Sequence, residues 1–304
     1  MASVLTLLSR LHARLGGSSG APRLWRTARR IGRVWLLAFA LRHELSRRND
    51  ITIVMGVRDR PDHRLVNALR SIRMQQYPAG LVRVIVVDYG STPANGAAIA
   101  RLAEEHRADY VVVEHAPVWS RSRSLNVGIR QADSKFLLTS DADIVLSPRY
   151  LSDAVAALKT SPLSIVCSPM FDLPEASVAT LARAAETADL SVEAWKENAK
   201  PRHDWQFHPS ICMAYTKVFK LIRGYDEYYE LWGAEDDDLM RRLTYLGLAP
   251  KTLDTGSFYL HQWHPKFEGV PEAATAAQIR RNLAYLQEHH SIVRNDRDWG
   301  MPRA

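Results

Sequence analysis

The sequence predicts an α/β fold: a mostly parallel sheet with helices on both faces, preceded by a basic helical arm. Three observations carry the prediction. From Ile51 onward, short β-branched apolar runs alternate with amphipathic stretches. The runs Ile51–Val57 and Val82–Asp88 are almost continuously apolar rather than alternating, as strands covered on both faces are. The first 50 residues hold ten arginines, no lysine and only Glu44 and Asp50 as acids.

The elements follow in order. A strand over 51–57 leads to a helix over 62–76, and a strand over 82–88 to a helix over 93–106. A strand over 110–114 comes next, then a helix over 121–131 and a strand over 135–139. Repeated βα units of this kind place successive strands side by side in parallel. The second half is less regular. It reads as a strand over 164–167, a long helix over 175–198, and a stretch over 200–235 dense in aromatics and glycine. A helix over 236–246, a strand over 257–261 and a helix over 272–290 complete it. The expected organisation is an arm over 1–50 and one domain over 51–304, whose halves meet near residue 145.

Composition agrees with a globular body: 46% of the 304 residues are hydrophobic and 24% charged. The net charge of +7 belongs to the arm, which alone carries +8 and leaves −1 for the other 254 residues. A nucleic-acid-binding surface would have to be basic on the folded body, so that class is excluded. Within the arm, Val34–Leu41 is an apolar run of eight, far short of the roughly 20 that span a bilayer. No small-residue cleavage site follows it. The arm reads as an amphipathic segment on an anionic membrane surface, dispensable for chemistry, or as a helix packed on the domain or a solvated tail. The expected location is cytoplasmic, peripheral on the inner face of the cell membrane. Cys167 and Cys212 lack metal spacing and read as buried thiols of a reducing compartment.

Ligands of open α/β sheets lie beyond the carboxyl ends of the strands. Arg58, Asp88 and Asp141 each end or directly follow a predicted strand. Ser140-Asp141-Ala142-Asp143 offers two carboxylates one residue apart, suited to a hard cation such as Mn2+ or Mg2+ that keeps positions open for phosphate oxygens. Asp-x-Asp also occurs as turn chemistry. Trp232-Gly233-Ala234-Glu235-Asp236-Asp237-Asp238 places four acids at a helix start, where they complement the dipole. It also sets an aromatic plate beside a carboxylate able to take a proton from a sugar hydroxyl. His261-Gln262-Trp263-His264 puts two imidazoles after a strand, within reach of one cation.

Together with Gly56-Val57-Arg58-Asp59-Arg60 and Trp119-Ser120-Arg121-Ser122-Arg123-Ser124-Leu125-Asn126-Val127-Gly128, these blocks stand in an order that resembles the β-1,4-galactosyltransferase group. The chain is similar too to bacterial family-2 glycosyltransferases with a galactosyltransferase-type C-terminal region, the chondroitin-polymerase type among them. The resemblance runs from about Ile51 to His264. It implies a GT-A (Rossmann-like) catalytic domain over 51–304, with a nucleotide-binding half over 51–145 and an acceptor half over 146–304. It also implies an inverting, Mn2+-dependent or Mg2+-dependent transfer of a hexose or N-acetylhexosamine from a UDP-sugar to a glycan or glycolipid hydroxyl.

On the matching positions the resemblance implies that Arg58, Arg60 and Arg121 contact the nucleotide and that Asp88 recognises the base; Asp141, the other acid of the paired carboxylates, is expected to reach water or ribose. The resemblance implies that Asp143 and His264 bind metal; His261 stands where the group carries a methionine ligand. By the same resemblance Asp236 is expected to be the catalytic base, Glu235 to contact sugar hydroxyls and Trp232 to stack at the donor–acceptor junction. The chain departs from the group at Tyr89, at Arg123 and in its cysteines, and a donor-selecting position falls near Phe207-His208. Trp195, Trp205, Tyr228 and Tyr229 are candidates for an acceptor groove or for the core. Two other readings are a nucleotidyltransferase, for which the loop after the first strand lacks a glycine-rich turn and lysine, and a non-catalytic carbohydrate- or membrane-binding module.

Overall fold

The computed structural model of the chain describes residues 23–114, 116–202, 210–265 and 271–301. In chain order the strands are β1 (Ile51–Val57), β2 (Val82–Tyr89), β3 (Asp109–Val113), β4 (Phe136–Asp141), β5 (Ile144–Leu146) and β6 (Ser164–Cys167). They continue with β7 (Met170–Asp172), β8 (Lys200–Pro201), β9 (Cys212–Tyr215), β10 (Ala249–Thr252) and β11 (Tyr259–His261). The main sheet has the order β10-β6-β9-β4-β1-β2-β3. β1 pairs in parallel with β2 and β4, and β9 runs antiparallel to β4 and β6. The apolar runs do what their composition requires: Ile51, Ile53, Val54 and Met55 of β1 and Ile85, Val86 and Val87 of β2 are fully buried.

The helix Arg121–Gln131 lies close on β1 because each side of the contact carries a glycine, Gly56 on the strand and Gly128 on the helix. A Cβ on Gly56 would collide with Ser124, and one on Gly128 with Val54. This contact sets the start of that helix, and Arg121 with it, beside the carboxyl ends of β1 and β4. A second, smaller sheet has the order β5-β11-β7-β8. It begins directly after the Asp141-Ala142-Asp143 turn, and Val145, Leu181, Trp195, Phe258 and Leu260 form its own apolar cluster.

The expected βα order holds through β4. The long helix expected over 175–198 is broken: a 3-10 turn at Glu175–Ser177 precedes helices Val178–Thr187 and Val192–Glu197. Ala188, at φ +63°, turns the chain between the two helices. Helices Tyr150–Thr160 and Thr216–Ile222 are additional to the expected elements. Cys167 and Cys212 are free thiols as expected, and burial pushes Cys212 up to about 12.

The arm contributes a helix, Arg23–Leu41, of which Leu37 and Leu41 are buried in the main core. The segment after it is tied down by Glu44, which pairs with Lys217 at 3.5 Å, and by Arg47, which donates to the Asp133 carbonyl at 2.5 Å. From residue 34 onward, therefore, the arm packs on the domain. Among the described residues no helix is long and apolar enough to cross a membrane.

Candidate metal and catalytic centre

The small sheet assembles the first part of the site. β5 pairs with β11 so that Ile144 faces His261, and the Gln262 amide donates to the Asp143 carbonyl at 3.0 Å. The Asp-x-Asp turn is thereby stitched to the end of β11, and three more residues bring the chain to His264. Ligand atoms of Asp143, His261 and His264 lie within 4.8 Å of one another. Nε2 of His264 is 3.4 Å, and Nε2 of His261 3.9 Å, from Asp143 Oδ2. Arg60 Nη1 stands 3.6 Å from the same oxygen. Burial raises the Asp143 carboxyl, but His264, His261 and Arg60 overcome this and hold it well below the usual carboxylate range. Its Oδ1 is buried with no hydrogen-bond partner. A carboxylate with one oxygen facing two imidazoles and the other buried without a partner is a donor set that fits a divalent cation of the Mn2+ type.

Behind His261 stands a pair that the sequence reading missed. Parallel pairing of β7 with β11 sets Asp172 beside His261, and His261 Nδ1 lies 3.0 Å from Asp172 Oδ1. Arg202 grips the same carboxylate with two nitrogens, at 2.9 and 2.5 Å. Against the effect of burial, His261 and Arg202 bring Asp172 down to about 2. Burial lowers His261, yet Asp172 and Asp143 raise it overall.

The second part is built on Arg121. Ser120 caps its helix, accepting from the Arg123 amide, and donates to the Tyr229 carbonyl at 2.7 Å. Arg121 Nε donates to Asp141 Oδ1 at 2.5 Å, Nη1 to Asp236 Oδ1 at 2.8 Å, and Nη2 to the Ser210 carbonyl. One guanidinium thus joins the first acid of the Asp-x-Asp turn to the start of helix Glu235–Leu246. Burial pushes the carboxyls of Asp141, Glu235 and Asp236 upward; Arg121 opposes this in each, and neighbouring carboxylates add to it. Acids at a helix start complement the dipole, which favours their ionised form and would keep Asp236 charged. The structure opposes that effect, because Asp141, Glu235 and Asp236 crowd around the one guanidinium of Arg121.

The remaining residues fall around these two clusters. Arg58 Nε is 4.0 Å from Asp59 Oδ2, and Asp59, at φ +53°, locks the loop after β1 through Thr92 and Asn95. Asp88 is buried, accepting from the Tyr110 hydroxyl at 2.7 Å and the Ser91 amide at 3.1 Å. Arg123 donates to the Glu227 carbonyl at 3.0 Å. Asp238 is a structural acid, paired with buried Arg242 at 2.6 Å and Arg294 at 2.9 Å.

Trp232 is 61% exposed on a turn where Leu231, Gly233 and Ala234 all have positive φ. For the two non-glycine residues that conformation costs about 1 kcal/mol or more each. Asn282, another residue the sequence reading missed, holds the turn by donating to the carbonyls of Glu230, Trp232 and Gly233 at 3.1, 3.2 and 3.1 Å. Of the groove candidates, Trp195 and Tyr229 are buried, while exposed Tyr228 stacks on Tyr285. Trp205, Phe207 and His208 lie outside the described residues.

The sequence model of glycosyl transferase family 2 matches residues 52–209. That of the N-terminal domain of galactosyltransferase matches residues 192–265. No curated protein sequence matches the chain. Among solved structures, the fold is similar to S. aureus TarS. The TarS 1-349 complex with UDP-GlcNAc is 18% identical at a TM-score of 0.54, over 77% of this chain and 66% of that one. A further TarS structure matches at a TM-score of 0.52, and there the chain spans only 43% of the relative's length. The mannosyltransferase PcManGT from Pyrobaculum calidifontis, in complex with GDP-Man and Mn2+, is 19% identical at a TM-score of 0.51, over 86% of this chain and 79% of that one.

Proposed function

The chain belongs to glycosyl transferase family 2 and has the GT-A fold; from that premise we propose that it is an inverting, metal-dependent hexosyltransferase. In this reading it moves a hexose or N-acetylhexosamine from a UDP-sugar to a hydroxyl of a glycan or glycolipid, at the inner face of the cell membrane. The observation that carries the proposal is the adjacency of two clusters. A cation-type donor set at Asp143, His261 and His264 is linked through the Asp141-Ala142-Asp143 turn and Arg121 to Asp236.

The roles follow from these positions. Asp143, His264 and His261 would hold a Mn2+ or Mg2+, which would supply positive charge for the departing diphosphate. Arg58, Arg60 and Asp88 line the nucleotide end, where guanidinium forks suit phosphate oxygens. The acceptor oxygen bonds to the anomeric carbon as the carbon–phosphate-oxygen bond breaks, and the electron pair leaves with UDP. The acceptor proton passes to Asp236 Oδ2, since Oδ1 is engaged by Arg121. A carboxyl raised above its ordinary range suits a general base, because its affinity for the proton lies nearer working pH. Glu235 contacts sugar hydroxyls, and Trp232 offers a face for the ring.

The test is a screen of nucleotide sugars, GDP-mannose included, for Mn2+-dependent thermal stabilisation, followed by detection of released UDP or GDP. A ligand at about 100 times its Kd adds roughly 2.7 kcal/mol. A chain stabilised by no nucleotide sugar with either metal overturns the proposal.

A further inference from the structure

From Val34 on, the Arg23–Leu41 helix has two apolar faces, and the described residues bury only one. Leu37, Ala40 and Leu41 turn inward and are buried. Trp35 and Phe39, one turn apart, point outward at 73% and 54% exposed; Leu36 and Leu45 extend the exposed strip on either side. A helix that has already buried its core-facing side gains nothing for the fold from a second strip with two large aromatics.

The surroundings of the strip select its occupant. Arg42 lies over the Phe39 ring, 3.7 Å from its centroid, and the arm carries +8 while the rest of the chain carries −1. Tryptophan and phenylalanine flanked by arginine match a headgroup layer with hydrocarbon beneath it. A nucleic acid would answer the charge but leave Leu36 and Leu45 in water. A second copy paired face to face would set arginine against arginine.

We infer that this strip docks the protein on an anionic lipid bilayer, and that the core-packed side of the same helix fixes how the catalytic domain stands on that surface. The arm is anchored where strands begin. Arg48 donates to the Gly80 carbonyl at 2.7 Å, just before β2, and Lys135 donates to the Leu45 carbonyl at 3.2 Å, just before β4. Asp88 and Asp141 stand where those strands end. The docking face and the candidate site therefore occupy opposite ends of the sheet, and the strip can be altered without touching the site. This inference goes beyond the catalytic proposal and does not depend on it.

The experiment floats the full-length protein with vesicles of phosphatidylcholine alone and of phosphatidylcholine with phosphatidylserine. The expected result is binding to the anionic vesicles only, weakening as salt screens the arginines. The double variant Trp35→Ser/Phe39→Ser should partition about tenfold less or worse, with an unchanged thermal midpoint and unchanged Mn2+–UDP stabilisation. Equal flotation of wild type and variant overturns the inference, as does a wild type that ignores anionic vesicles. A wild-type dimer that the double variant dissolves, without flotation of either, assigns the strip to a second copy instead. Flotation without any nucleotide stabilisation would sink the catalytic proposal and leave this one standing.

Discussion

His261 Nδ1 lies 3.0 Å from Asp172 Oδ1, and this contact decides which ring nitrogen faces Asp143. With Nδ1 committed to a carboxylate that Arg202 also grips, Nε2 is the nitrogen presented to the cation site. Asp172→Asn keeps the shape but weakens the partner of the imidazole. Mn2+ affinity, read by calorimetry in the presence of UDP, should fall about 10–100-fold, the usual effect of losing such a support. Thermal stability without metal should change little, since the pair is partly exposed. Unchanged Mn2+ affinity would remove His261 from the metal site or Asp172 from its support.

Asp143 and His264 come from separate segments joined by the β5–β11 pairing and by the Gln262-to-Asp143 backbone hydrogen bond that extends it. Asp143→Ala and His264→Ala should each abolish Mn2+-dependent UDP binding while the circular dichroism spectrum stays native. Asp143→Ala also removes the anion that faces Arg60 and the two imidazoles, so its metal-free melting temperature should drop modestly at neutral pH. A variant of either residue that binds Mn2+–UDP normally takes that residue out of the site.

The first half of the fold was legible because its strands are long and continuously apolar, and Arg58, Asp88 and Asp141 could be placed at strand ends on that basis. The small sheet was not. β7 and β8 have three and two residues, too few for any period, and Asp172 and Arg202 gain their roles only from the pairing of β7 with β8 and β11. β10 contains Pro250 and is mostly exposed, as an edge strand can be but as no sequence pattern announces. Asn282 reads as one more polar residue of a helix, and its three carbonyl partners lie about 50 positions away. The broken helix at 175–198 turns on Ala188, a residue with no preference for the left-handed region it occupies.

Leu37 and Leu41 set the terms for removing the arm. The sequence suggested a segment dispensable for chemistry, yet both side chains are buried in the main core. Leu41→Ala should lower unfolding free energy by about 2–5 kcal/mol, read from urea denaturation with an unchanged m-value. Deleting residues 1–48 should cost at least as much and lower activity through loss of folded protein rather than through the site. A truncated form as stable as the full chain would show that the arm does not stay docked in solution.

Asp236 is the carboxylate assigned to the acceptor proton, and Arg121 is what makes that assignment testable. The 2.8 Å contact between Arg121 Nη1 and Asp236 Oδ1 fixes the carboxylate in one orientation, while the strained turn at Leu231–Ala234, clamped by Asn282, fixes where its helix begins. Asp236→Asn retains an oxygen for Arg121 and removes the proton acceptor. It should lower kcat by about 10²-fold or more, with donor affinity nearly unchanged. Arg121→Lys should behave differently. A single ammonium cannot span Asp141, Asp236 and the Ser210 carbonyl, so both kcat and donor KM should worsen. Glu235→Gln, if Glu235 serves sugar hydroxyls, should raise KM more than it lowers kcat. The decisive comparison is between the two acids. Should Asp236→Asn turn over normally while Glu235→Gln loses kcat, the base is Glu235, and Arg121 positions Asp236 for donor binding instead.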